Sequence, residues 1–154
     1  MYITKKGFTL LEIMIVLAIV AVMSAVVVLN VSAPSYARFT SNANKIAGAL
    51  GILCDQAVYT NSVIVCDVSP NNLICQSYKN GNWTDLNLQN VISWSWPENM
   101  TITNVIVNGM PLKQGERIKF VATGVQLPIS LQVTDGRYTT WIDGDFNGNF
   151  QVNN

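Results

Sequence analysis

The sequence predicts an α+β fold: a long amino-terminal helix, with a membrane half and an amphipathic half, set against an antiparallel β domain. Three observations predict it. An apolar run from Phe8 to Leu29 carries one charge, Glu12. Apolar residues then recur at helical spacing from Ala43 to Ala57. From Ser62 onward, short alternating segments are separated by turn residues.

No residue between Ile13 and Leu29 is charged. At a rise of ~1.5 Å per residue that stretch makes a helix of ~26 Å, and Phe8 to Leu11 bring it to the ~30 Å of a bilayer core. Lys5 and Lys6 belong on the cytoplasmic side, which puts the carboxy-terminal bulk across the inner membrane. A secretory signal peptide fits poorly, because no Ala-x-Ala exit follows Leu29 and Glu12 sits where an apolar stretch should begin. A plain anchor does not explain Glu12, since a carboxylate inside a membrane helix costs about 2.5–3.5 kcal/mol. Such an acid needs a partner. A cut after Gly7 would give Phe8 a free amino group four residues before Glu12, and that amine, on the same chain or a neighbour, is the natural counter-charge.

The remaining chain is long enough for one domain with a modest core. Basic and acidic residues number 9 each; loss of Lys5 and Lys6 leaves 7 against 9, or −2, so nothing attracts a polyanion over distance. The chain has no histidine, which removes a Ser-His-Asp triad, a Cys-His pair and any histidine-containing zinc site. Catalysis is not expected, and no cofactor is implied.

One helix is read from Phe8 to about Val58. Pro34 cannot bond the carbonyl of Asn30, so a kink is expected there. Beyond it Ala43, Ile46, Ala47, Leu50, Cys54 and Ala57 form the buried stripe. Val63–Val68 and Leu73–Tyr78 flank the turn Ser69-Pro70-Asn71-Asn72. If that loop closes a hairpin, Val68 faces Leu73 and Cys66 faces Cys75, and opposed cysteines at a non-hydrogen-bonded pair can bridge. Lys79 to Trp83 makes a second turn. Val91 to Pro97 alternates, with Ile92, Trp94 and Trp96 on one face. Thr101–Val107 is a strand that stops at Asn108-Gly109. Arg117–Ala122 and Ile129–Val133 are strands joined through Gly124 to Pro128. Tyr138–Asp143 leads to Asn147-Gly148, read as a type I′ hairpin pair, with Phe150 and Val152 on the return strand.

Lys6-Gly7-Phe8-Thr9-Leu10-Leu11-Glu12 resembles the class III leader and cleavage site of type IV pilins and type II secretion pseudopilins. The resemblance implies cleavage after Gly7 by prepilin peptidase, N-methylation of Phe8, and docking of Glu12 on a neighbour's amino terminus during assembly. It implies a pilin-like fold, a cleaved leader over residues 1–7, a transmembrane and assembly helix over 8–30, and a periplasmic domain over 31–154. Arg117 to Leu131 resembles a segment of H-type minor pseudopilins, the GspH/FimT domain, and Trp141 to Phe150 resembles their closing hairpin. The expected partners are other pseudopilins or pilins, prepilin peptidase and an inner-membrane assembly platform. The Cys66…Cys75 pair is more like the FimT/FimU minor pilins of type IV pili. A DNA-binding relative in that branch uses a Gly-Arg-x-Arg tail, whereas the corresponding stretch here is Gly148-Asn149-Phe150-Gln151, so nucleic acid is not an expected partner.

Three further signals have two readings each. Asp143-x-Asp145-x-Asn147-Gly148 resembles the start of a calcium loop but lacks the glutamate at position twelve, and the other reading is a polar hairpin turn. With three cysteines, Cys54 is either a free core thiol or the partner of Cys66 or Cys75. Trp94 and Trp96 either fill the core beneath the helix or form an interaction patch.

Overall fold

The computed structural model describes residues 10–88 and 95–153, apart from the side chains of 24–34. The chain divides into two compact units, one up to Arg38 and one from Phe39 to Asn154. Helix α1 covers Leu10–Tyr59, and the helical assignment runs through Pro34.

The end of α1 is set locally. Asn61 takes a left-handed φ of 49°, Ser62 N–H reaches back to Ala57 O at 3.0 Å, and Asn61 N–H reaches Val58 O at 3.1 Å. This is a Schellman cap with asparagine in the position glycine usually holds. Ser62 is buried and its hydroxyl bonds Thr60 Oγ1 at 2.6 Å and accepts from Ser77 Oγ at 3.1 Å, which ties the cap to the second strand.

All strands pair antiparallel, in two sheets. The first has the order β3-β2-β1-β6, from β1 (Val63–Ser69), β2 (Asn72–Lys79), β3 (Asn82–Leu86) and β6 (Ile118–Phe120). The second has the order β5-β4-β7-β8-β9, from β4 (Thr101–Val107), β5 (Met110–Pro111), β7 (Ile129–Thr134), β8 (Thr139–Gly144) and β9 (Phe150–Asn153). Within the second unit, Ala43, Ile46, Ala47, Leu50, Cys54 and Ala57 of the expected stripe are all buried, joined by Phe39 and Leu53. They share one cluster with Ile64, Cys66, Leu73, Cys75, Ile118 and Phe120 of the first sheet and Ile102, Val105, Ile129, Leu131, Val133 and Ile142 of the second. The α+β class stands: a helix packed on antiparallel sheets.

Several expectations change. The segment read as Arg117–Ala122 is a strand only over Ile118–Phe120, and it pairs with β1. The Gly124–Pro128 connection therefore passes between sheets. The strand read over Val91–Pro97 falls mostly outside the described residues; Ser95, Trp96 and Pro97 are not in a strand, and Trp94 is not described. Trp96 is half-buried against the core, its indole N–H donating to Met100 O at 2.7 Å. Asn147-Gly148 is not a type I′ pair, because only Gly148 has a positive φ. Gly144 pairs with Phe150, so the loop is five residues long, 145–149. True Asn-Gly hairpins occur at Asn80-Gly81 and Asn108-Gly109, where both φ values are positive and the loops have two residues.

Candidate functional site

The apolar half of α1 holds the assembly residues expected from the sequence. Gly7 and Phe8 lie outside the described residues. Glu12 lies on α1 and is exposed. Around it Leu10, Leu11, Ile13, Met14, Ile15, Val16, Leu17, Ile19, Val20, Val22 and Met23 are between 47% and 79% exposed. Apolar side chains on every side of a helix demand a non-aqueous surrounding. At ~1.5–3 kcal/mol for full burial of each such side chain, covering these exposed surfaces is worth on the order of 10 kcal/mol. That exceeds the ~2.5–3.5 kcal/mol for placing one carboxylate in a membrane helix. Among the described residues no helix is long and apolar enough to cross a membrane.

In the second unit the β1–β2 register places Val68 opposite Leu73 and Cys66 opposite Cys75. The two cysteines are joined by a disulfide, with Cα atoms 4.1 Å apart and both residues buried. That short separation is the one found at non-hydrogen-bonded antiparallel pairs. Cys54 is a free, buried thiol. Burial, with Asp55 and Asp145 adding negative charge nearby, pushes its pKa up to about 12.

Two loops meet α1 beside Cys54. Gly148 has φ +78°, and a Cβ there would stand 3.0 Å from both Cβ and Sγ of Cys54. The loop is held by Asp145, whose Oδ1 accepts from the backbone amides of Asn147 and Asn149 at 2.9 Å each, while Oδ2 accepts from Asn149 Nδ2 at 3.1 Å. These bonds hold its carboxyl below the usual carboxylate range. In this loop the carboxylate oxygens serve the turn itself, the polar-hairpin reading of the Asp143-x-Asp145 pattern. The neighbouring loop is pinned by Gln126, a buried side chain that sequence reasoning passed over. Its Nε2 donates to Val121 O and its Oε1 accepts from Val121 N–H, each at 3.0 Å, while its own N–H donates to Phe146 O at 2.8 Å. The signal for it is faint: one polar residue between Val125 and Leu127 in the connection from Gly124 to Pro128.

A family profile described as the prokaryotic N-terminal methylation motif matches residues 4–28. Over 58 residues the chain is 40% identical to type II secretion system protein H of Pseudomonas aeruginosa, a stretch covering 37% of this chain and 34% of that protein. The match thus spans about a third of the relative's length. No solved structure matches. The chain is thus similar in part to the H protein of type II secretion and carries the amino-terminal methylation motif, and its helix on antiparallel sheets is a pilin-like arrangement.

Proposed function

We propose that the chain is a minor pseudopilin, a structural subunit of a type II secretion pseudopilus that helps export folded proteins across the outer membrane. The observation that carries this reading is the identity with protein H, joined to the methylation motif. Prepilin peptidase cuts after Gly7, Phe8 is N-methylated, and Glu12 docks on a neighbouring subunit's amino terminus as residues 8–30 move from the inner membrane into the fibre. The uncharged run to Leu29 supports a single pass, with residues 31–154 in the periplasm. An oxidising compartment is consistent with the Cys66–Cys75 bridge. The subunit does no chemistry of its own; its partners are other pseudopilins and the assembly platform.

The same bridge favours a second reading, a FimT/FimU-like minor pilin of a type IV pilus. Deletion of the gene separates the two. Loss of exoprotein secretion with pili intact is expected; loss of surface pili with secretion intact would replace the first reading by the second. Mass spectrometry of the native protein should find N-methylated Phe8 as its first residue, and a Glu12→Ala chain should stay in the membrane and fail to enter the fibre.

A further inference from the structure

The outward face of the first sheet takes no part in the assembly just described. β1, β2 and β6 turn Ile64, Cys66, Cys75 and Phe120 into the core, so the alternate residues face away from it. There Tyr78 and Trp83 are cross-strand partners, with ring centroids 4.9 Å apart and planes inclined by 45°. They are 41% and 51% exposed. Cross-strand pairing explains why the rings touch; it does not explain why both stay in solvent.

The next row along the strands is polar and ordered. Gln76 and Asp85 are register partners, and Gln76 Nε2 donates to Asp85 Oδ1 at 2.9 Å. Gln76 Oε1 accepts from Arg117 Nη1 at 3.2 Å, and Arg117 Nε donates to Asp67 Oδ1 at 2.9 Å. Four planar polar groups thus fix one another across the sheet. With Lys119, exposed on β6, the two acids and two bases cancel.

We propose that this face binds a neutral carbohydrate, a chain of pyranose units running along the strands' long direction from the Tyr78–Trp83 row over the Gln76–Asp85 row toward Arg117. A pyranose presents an apolar C–H face, which stacks on an exposed aromatic ring, and a rim of hydroxyls that both donate and accept. Rows two residues apart on a strand are separated by ~6.8 Å, on the scale of one sugar unit. A ring over Tyr78 and Trp83 therefore puts the hydroxyls of the next ring over Gln76, Asp85 and Arg117. A polyanion finds no net positive charge here. A protein partner would have to dry the Arg117–Asp67 pair and the ladder in the middle of its contact, where charged groups are disfavoured. Sugar hydroxyls replace the water on those groups.

The test uses the full chain in lauryldimethylamine oxide micelles, which carry no sugar. Three probes are titrated: a tetramer of β-1,4-linked N-acetylglucosamine, cellotetraose, and purified peptidoglycan sacculi. Binding of either tetrasaccharide supports the proposal. Binding of the N-acetylated tetramer and sacculi without cellotetraose assigns cell-wall glycan as the source, and binding of both tetramers assigns a general polysaccharide. Trp83→Ala should weaken binding by about tenfold, with Gln76→Ala weaker in the same direction and Ile52→Ala without effect. Unchanged melting of the Gln76→Ala chain keeps the result readable should Trp83→Ala unfold. Failure of all three glycans to bind, or affinity unchanged in both Trp83→Ala and Gln76→Ala, overturns the proposal.

Discussion

Replacing Gly148 by alanine tests how the 145–149 loop is seated on α1. Two separate terms follow from the structure. The backbone at Gly148 has φ +78°, which costs a side-chain-bearing residue about 1–2 kcal/mol. The added Cβ would also stand 3.0 Å from Cβ and Sγ of Cys54, whose place on a buried helical stripe leaves it little room to retreat. Forcing a methyl into such packing costs roughly 1–3 kcal/mol. The expected loss is about 2–5 kcal/mol. Gly81 supplies the comparison: its φ is +86°, but a Cβ there meets nothing within 4 Å. Gly81→Ala should therefore lose only the backbone term, about 1–2 kcal/mol. Thermal unfolding of the full chain in micelles, followed by tryptophan fluorescence, reads both, at a few degrees of melting temperature per kcal/mol. Adding Cys54→Ala to Gly148→Ala removes the sulfur but keeps its Cβ, so the double variant should recover part of the difference by a double-mutant cycle. Equal losses for Gly81→Ala and Gly148→Ala would refute the claimed contact with Cys54.

Cys66→Ala with Cys75→Ala should cost about 2–3 kcal/mol, the loop-closure value for a bridge spanning nine positions, and reductant should lower the melting temperature of the wild type but not of this variant. Gln126→Ala leaves Val121 N–H and O without their partner in a buried setting, and a loss of about 2–4 kcal/mol is expected by denaturant unfolding. Cys54 should resist alkylation in the native chain near neutral pH and react on unfolding. Because its folded pKa is raised to about 12, the thiol's contribution to stability is full below the unfolded value near 9 and falls as pH rises from there to about 12; a Cys54→Ala chain should show a flatter decline across that window. Asp145→Ala should speed hydrogen exchange at the amides of Asn147 and Asn149 while leaving exchange in β8 unchanged.

Local signals carried well where a few neighbouring residues decide the outcome. The spacing of Ala43, Ile46, Leu50 and Ala57 marked the buried stripe because a helix repeats its own face every turn. The turn sequence after Val68 marked the β1–β2 register, and with it the meeting of Cys66 and Cys75, although Ser69 and Asn72 themselves pair and the loop is only Pro70-Asn71. Asn-Gly misled at 147–148, where the Asp145 carboxylate gathers the amides that follow and makes a wider turn. At 80–81 and 108–109 no such acid precedes the pair, and the tight hairpin forms. The division into two sheets was not legible. β6 and β7 are adjacent in sequence and alternate alike, yet one pairs with β1 and the other with β4. That choice depends on partners more than twenty residues away, and nothing within either strand encodes it. Gln126 escaped for a related reason: its worth comes from backbone groups of Val121 that only the folded loop brings to it.

The placement of β6 has a bearing on how the chain matures. The first sheet is opened by β1, β2 and β3, but its fourth strand arrives only after β4 and β5 have begun the second. A nascent or truncated chain ending at Pro111 would leave the Ile64–Cys66 rim bare, with its backbone groups ready to recruit a foreign strand. The first sheet has all its strands once Phe120 is made, while the second still waits for β7 to β9, so the chain closes one sheet midway through building the other.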